Sequence, residues 1–127
     1  ETDKQDIIFG IDQKVDIIAL SFVRSSETIR EVRDLLGVYA QQIKIIAKIE
    51  NQEGVDHLEK IVQEADGIMV ARGDLGIEVE LEEVPQIQRR IAFLCAKFLS
   101  LAFILYKIVA LKFNLTSYSF SSPKFMA

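Results

Sequence analysis

Apolar residues fall along this chain in two alternating periods. Three short runs, at residues 15–21, 43–49 and 67–70, are rich in Ile and Val, and their length and β-branched content predict buried strands rather than helix segments. Between them the period lengthens. Ile29, Val32, Leu35 and Leu36 recur at helical spacing, with Ser25 or Ser26 placed as N-cap and Gly37 placed to end the helix. Val55, Leu58, Ile61, Val62 and Ala65 form a second stripe. Ile87, Ile91, Leu94, Cys95 and Phe98 form a third, with Pro85 near its first turn, where a missing N–H costs nothing. An opening helix is predicted with Thr2 as its cap and Ile7, Ile8 and Ile11 on one side. Strand alternating with helix predicts an α/β fold of parallel strands joined by right-handed crossovers. A doubly wound sheet and a barrel both fit that pattern. A whole (β/α)8 barrel needs roughly 250 residues, so the 127 residues here hold only part of one.

Composition narrows the chemistry. A single cysteine, Cys95, excludes an internal disulfide framework. With His57 the only histidine, a closed zinc site of His and Cys ligands is excluded as well. The net charge of −4 argues against a nucleic-acid surface. Hard metals bound by oxygen remain open. The charge is unevenly spread: residues 1–98 carry 12 basic and all 19 acidic residues, whereas residues 99–127 carry Lys107, Lys112 and Lys124 and no acid. The expected organisation is therefore a soluble α/β part, 1–98, and an apolar tail, 99–127. Lys97 and Lys107 bracket too short an apolar stretch for a spanning helix, which wants about 20 residues. An interfacial helix stays open, but the preferred expectation is a poorly packed end to a truncated domain. The N-terminus offers no targeting pattern.

Side chains alternate across a strand, so Lys44, Ile46, Lys48 and Glu50 share one face of the second run and Ile43, Ile45, Ala47 and Ile49 the other. The second set is wholly apolar and is expected against helices. Lys48 and Glu50 then point away from them at the C-terminal strand end, where α/β sheets and barrels carry their active sites. A lysine and a carboxylate there suit an anion and a divalent cation; an ion pair plugging the strand end is the structural alternative. The third run ends in Ala71, Arg72, Gly73, Asp74, Leu75 and Gly76. Glycine lets backbone N–H groups approach an oxyanion, Arg72 adds positive charge and Asp74 is a hard oxygen ligand. A plain strand-to-loop turn would use the same residues. With Glu50 on the neighbouring strand end, Asp74 makes a candidate two-carboxylate magnesium site. His57 reads as solvated, Cys95 as a small core residue, and Glu78, Glu80, Glu82 and Glu83 as a solvated run before Pro85.

These residues resemble a known family. Ile-Ile-Ala-Lys-Ile-Glu-Asn-Gln-Glu at 45–53 and Asp-Gly-Ile-Met-Val-Ala-Arg-Gly-Asp-Leu-Gly at 66–76 closely resemble pyruvate kinase, as does Ser-Phe-Val-Arg at 21–24. The resemblance runs from about residue 2 to residue 97. It implies a contiguous part of a (β/α)8 catalytic barrel and phosphoryl transfer from phosphoenolpyruvate to ADP, giving pyruvate and ATP in glycolysis. By the same resemblance, Lys48 is the catalytic lysine that stabilises the transferring phosphoryl group, and Glu50 and Asp74 are ligands of a catalytic Mg2+ or Mn2+. Ala71, Arg72, Gly73 and Asp74 belong to the loop that holds phosphoenolpyruvate, and Ser21 lines the phosphate pocket. A K+ ion, a cytoplasmic location and a homotetramer are implied too.

The departures carry expectations of their own. Residues 98–101 do not match the family's continuation into a strand ending in Thr-Gln-Met, and nothing in 99–127 matches. The segments that supply the K+ ligands and a substrate-binding arginine are expected upstream of Glu1. The chain accordingly reads as a fragment or variant, inactive alone. Two other readings stay open: a magnesium-dependent aldolase or lyase acting on pyruvate or phosphoenolpyruvate, and a catalytically dead product acting only by association.

Overall fold

A computed structural model describes residues 2–98, 101–106, 109–110 and 124–126, with side chains for 4–98, 124 and 126. Helix α1 (Thr2–Asp12) leads into β1 (Ile17–Leu20), followed by α2 (Ser26–Leu36), β2 (Lys44–Ile49), α3 (Gln52–Asp56), α4 (Leu58–Glu64), β3 (Gly67–Ala71), α5 (Arg72–Glu78) and α6 (Val84–Phe98). Strands β4 (Leu101–Tyr106), β5 (Val109–Ala110) and β6 (Phe125–Met126) complete the described elements. The strands form one sheet in the order β5-β4-β3-β2-β1-β6. β1 to β4 are parallel neighbours in chain order, β6 runs parallel to β1, and β5 runs antiparallel to β4.

Burial divides the sheet into two unlike faces. Ile18, Ile45, Ala47, Ile49, Ile68 and Val70 join one large core with Ile7 of α1, Ile29 of α2, Ile61 of α4, Leu75 of α5 and Ile91 of α6. Ile17, Ala19 and Ile46, with Met69 against them, form a separate small cluster on the opposite face. Every helix that contributes to the core therefore covers the same side. A doubly wound sheet reverses its strand order and takes helices on both faces. Sequential parallel strands with helices on one face are instead the winding of a barrel arc, which decides between the two architectures the sequence allowed.

The predicted elements are present with altered limits. The first strand is shorter than 15–21, because Ser21 and Phe22 already turn; the second begins at Lys44 and the third extends to Ala71. In α1, Ile7 is buried and Ile11 packs against the core, but Ile8 is 58% exposed. One residue step turns a helix by about 100°, which carries Ile8 off the face that Ile7 and Ile11 share. Leu35 likewise lies outside the buried stripe of Ile29, Val32 and Leu36. Gly37, at φ +52°, ends α2 through its N–H to the carbonyls of Arg33 and Asp34. The stripe at 55–65 is broken at His57, which stands at φ −99°, ψ 14° between α3 and α4. Residues 72–78 form a helix rather than an open loop. In the tail, β4 pairs with β3 residue for residue, from Gly67 beside Leu101 to Ala71 beside Leu105. That pairing satisfies backbone groups an open edge would leave bare. Residues 99–100, 107–108, 111–123 and 127 lie outside the described residues, and with them most of the expected tail and its interfacial helix. Among the described residues no helix is long and apolar enough to cross a membrane.

Asp66 ties β2, β3 and α2 together. Its Oδ2 accepts from Ile45 N and from Arg33 Nη2, each at 2.9 Å, while its own N–H donates to the Ile45 carbonyl. Arg33 Nη2 also donates to the Glu64 carbonyl at 2.8 Å. Ile45 is fully buried, so removing the carboxylate strands a main-chain N–H away from water. Asp66→Ala is expected to destabilise the chain by about 2 kcal/mol in urea unfolding, with Asp66→Asn costing less because one acceptor survives.

Cys95 is buried on the core side of α6, and that burial pushes its thiol up to about 11. The folded state therefore keeps the proton that an unfolded thiol loses near its ordinary value of 9.0. Stability is expected to fall as pH rises through that interval, by on the order of 1 kcal/mol per pH unit. Replacing Cys95 with Ala should flatten that slope, which unfolding midpoints measured between neutral and alkaline pH would check.

Candidate active site

Two strand ends, those of β1 and β2, converge on one carboxylate. Glu50 follows β2 directly and its side chain is 2% exposed. A charge so deeply placed is costly unless opposite charge and hydrogen bonds compensate it. Both are present: Lys48 Nζ stands 3.0 Å from Oε1, and the backbone N–H of Phe22 donates to Oε2 at 2.7 Å. Lys48 Nζ also donates to Ser21 Oγ at 3.2 Å. The parallel register explains the meeting, since Leu20 lies beside Ala47 and each is followed by one of the two residues, Ser21 and Lys48. Ser21, Lys48 and Glu50, expected together from the sequence, are brought together. The ion pair named as the structural alternative also forms. It leaves one of the three ammonium donors of Lys48 unengaged among the described residues.

The segment after β3 lies further out. Ile49 pairs with Val70, so Ala71 ends its strand beside the Glu50 end of β2. Arg72, Gly73 and Asp74 then form the first turn of α5, where N–H groups have no partner within the helix. Gly73 and Asp74 are exposed, and Leu75 anchors the helix in the core. Asp74 makes no ion pair with Lys48 and no hydrogen bond to the residues around Glu50 among the described residues. No group of three or more His, Cys, Asp or Glu side chains among the described residues is placed to hold a metal ion. Glu50 at the end of β2 and Asp74 in the first turn of α5 nevertheless fit Mg2+ in donor chemistry, because that ion takes one or two protein carboxylates and fills its shell with water and substrate oxygens. Each oxygen of Glu50 receives one donor and retains a second lone pair.

Two contributors, Phe22 and Asn51, lie inside the matching motifs without having been singled out. Phe22 acts through its main chain, at φ +52°, and side-chain type does not report that. Asn51 is the N-cap of α3, its Oδ1 accepting from Gly54 N at 2.8 Å while its Nδ2 is buried without a partner. Asn is a favoured N-cap residue, so the cap was legible in principle. His57, Glu78, Glu80, Glu82 and Glu83 are exposed, as expected. His57 Nδ1 donates to the Arg24 carbonyl at 3.0 Å. A cleft of about 360 Å³ lies between Phe22, Arg24, Asn51, Gln52, Glu53 and Glu78; neither Lys48 nor Asp74 lines it.

The geometry separates two substitutions by their cost. Lys48→Met strands a buried carboxylate and is expected to destabilise the chain by about 3 kcal/mol. Asp74→Asn, at an exposed position, is expected to stay within about 0.5 kcal/mol of the parent. Urea midpoints of the two variants check the difference.

Comparison with known proteins identifies a family. A family model for the pyruvate kinase barrel domain matches residues 1–102 and so reaches into β4. The chain is 53% identical over 96 residues to a pyruvate kinase of Bacillus licheniformis, which is 75% of this chain and 16% of that one. It is 49% identical over 96 residues to one of Clostridium perfringens, covering 20% of it, and 50% identical over 95 residues to one of Dictyostelium discoideum, covering 19%. The match thus spans a fifth or less of these relatives' lengths. With sequential parallel strands, helices on one face and a lysine–carboxylate pair at the strand ends, the chain belongs to the pyruvate kinase family, within its barrel domain.

Proposed function

We propose that this chain carries part of a phosphoryl-transfer site that moves the phosphoryl group of phosphoenolpyruvate to ADP, giving pyruvate and ATP in glycolysis. The observation that carries the reading is the Lys48–Glu50 pair at the C-terminal end of β2, with Ser21 on the same ammonium. Phosphoryl transfer asks little covalent chemistry of a protein and much positioning and charge neutralisation. Lys48 supplies a cation held at a fixed strand end, with one donor for an oxygen of the transferring group. Glu50 and Asp74 would hold Mg2+ or Mn2+. Bound there, the ion would draw negative charge from the phosphoryl and carboxylate oxygens of the substrate. Ala71, Arg72 and Gly73 lead into the first turn of α5, whose N–H groups favour an anion; they are the proposed phosphoenolpyruvate contacts beside Asp74. A cytoplasmic location belongs to the same reading.

The described strands form an open sheet rather than a closed ring. An open site lets water compete for the transferring group and screens the charges meant to stabilise it. The 127-residue chain is therefore proposed to be inactive by itself, its residues working in the setting of a whole barrel.

A graft tests this directly. Residues 2–97 are exchanged for the matching segment of the Bacillus licheniformis pyruvate kinase, and pyruvate formation from phosphoenolpyruvate and ADP is followed with Mg2+ and K+ present. The graft is expected to turn over, and Asp74→Asn within it to lower kcat by about a hundredfold or more without loss of fold. A graft that folds but gives no pyruvate, or an Asp74→Asn graft as fast as its parent, would sink the assignment.

A further inference from the structure

We infer that Phe22 is a positioning residue, whose backbone N–H fixes the Glu50 carboxylate in the orientation that a divalent cation needs. The inference rests on the reading of Glu50 as a metal ligand and goes beyond it to what aims that ligand. Phe22 and Lys14 are the non-glycine residues with positive φ among those described, and a bulky side chain in the left-handed region is sterically disfavoured. Phe22 is 59% exposed, so burial of its side chain does not account for the conformation.

The main chain around it does. Phe22 N donates to Glu50 Oε2 at 2.7 Å, and Val23 N donates to the Lys48 carbonyl at 3.4 Å. Ser21 Oγ takes the Lys48 ammonium, and the Arg24 carbonyl takes His57 Nδ1. Gly54 of α3 closes the arrangement from below: a Cβ there would stand 2.7 Å from the Val23 carbonyl oxygen. Four consecutive residues are thus tied to β2 and to the α3–α4 segment. Disfavoured backbone persists where its surroundings over-determine it, and it concentrates at functional sites.

The two oxygens of Glu50 meet different kinds of partner. Oε1 faces an ammonium on a four-carbon stem, free to follow a substrate. Oε2 faces a main-chain N–H that cannot follow anything. The fixed partner sets the plane of the carboxylate, as hydrogen bonds from outer residues orient metal ligands generally.

The test titrates Mn2+ alone into the full 127-residue chain and reads free Mn2+ by electron paramagnetic resonance. Circular dichroism confirms folding of each variant. Replacing the amide N–H of Phe22 by an ester oxygen keeps the side chain and removes the donor; Phe22→Gly keeps the donor and relaxes the backbone. The ester and Glu50→Gln are each expected to weaken Mn2+ binding by about tenfold or more, whereas Phe22→Gly binds close to the parent. Gly54→Ala, remote from the carboxylate, is expected to weaken binding as well, since its Cβ must push the Val23 carbonyl and the turn with it. Binding lost in Glu50→Gln but intact in both the ester and Gly54→Ala overturns the role of Phe22 and leaves the metal reading standing. Equal loss in the ester and in Phe22→Gly overturns it too, because the donor would then not be what matters. Binding indifferent to Glu50→Gln overturns the metal reading, and the inference falls with it.

Discussion

The position of β2 between β1 and β3 governs most of what this chain does. Its alternate residues Ile45, Ala47 and Ile49 enter the core beneath the helices, and that burial fixes the register. A slip of one residue would move all three to the opposite face and drive Lys44 and Lys48 into the apolar core. Lys48 therefore comes to its strand end as a consequence of packing several residues earlier. Glu50 follows in the same alternation, and the ammonium beside it makes its burial tolerable.

The helices share one face because each crossover returns to the next strand in line. Arg33 and Asp66 reinforce that order, joining α2 to the start of β3 and to the main chain of β2 at Ile45. The carboxylate at one end of the strands fixes their alignment; the carboxylate at the other end does the chemistry proposed for them. Both are partnered by a cation and a main-chain N–H. They differ in what surrounds them. Asp66, 23% exposed, is taken up by Arg33, Lys44 and the Ile45 N–H, while the buried Glu50 faces a lysine that retains a donor.

Much of this was legible in the order of residues. The three central strands and the helices between them follow from the change of period, and the shared side of Lys48 and Glu50 follows from strand alternation, while Ser21 came only from the family resemblance. Other features escaped for identifiable reasons. The break at His57 does not disturb the apolar stripe, so the period alone cannot reveal it. The helical turn at 72–78 uses Gly and Asp, residues that serve turns as readily as helix starts. Ile8 and Leu35 are apolar but lie one helical step off the buried Ile7 and Leu36, and apolar character alone does not mark which of two neighbours is buried.

By itself the sequence determined which residues face the helices, which face away, and that Lys48 and Glu50 share one side at the C-terminal end of a strand. Those facts follow from local geometry: a period of two in strands, about 3.6 in helices, and parallel direction for strands separated by helices. Only the tertiary structure decided that the sheet winds singly, that β4 pairs with β3, and that the N–H of Phe22 in a left-handed turn holds the Glu50 carboxylate. Each of these depends on contacts between residues far apart in the chain. Phe22 and Glu50 stand 28 positions apart, and no local pattern encodes where a main-chain N–H will point once a turn is held by partners from two other elements.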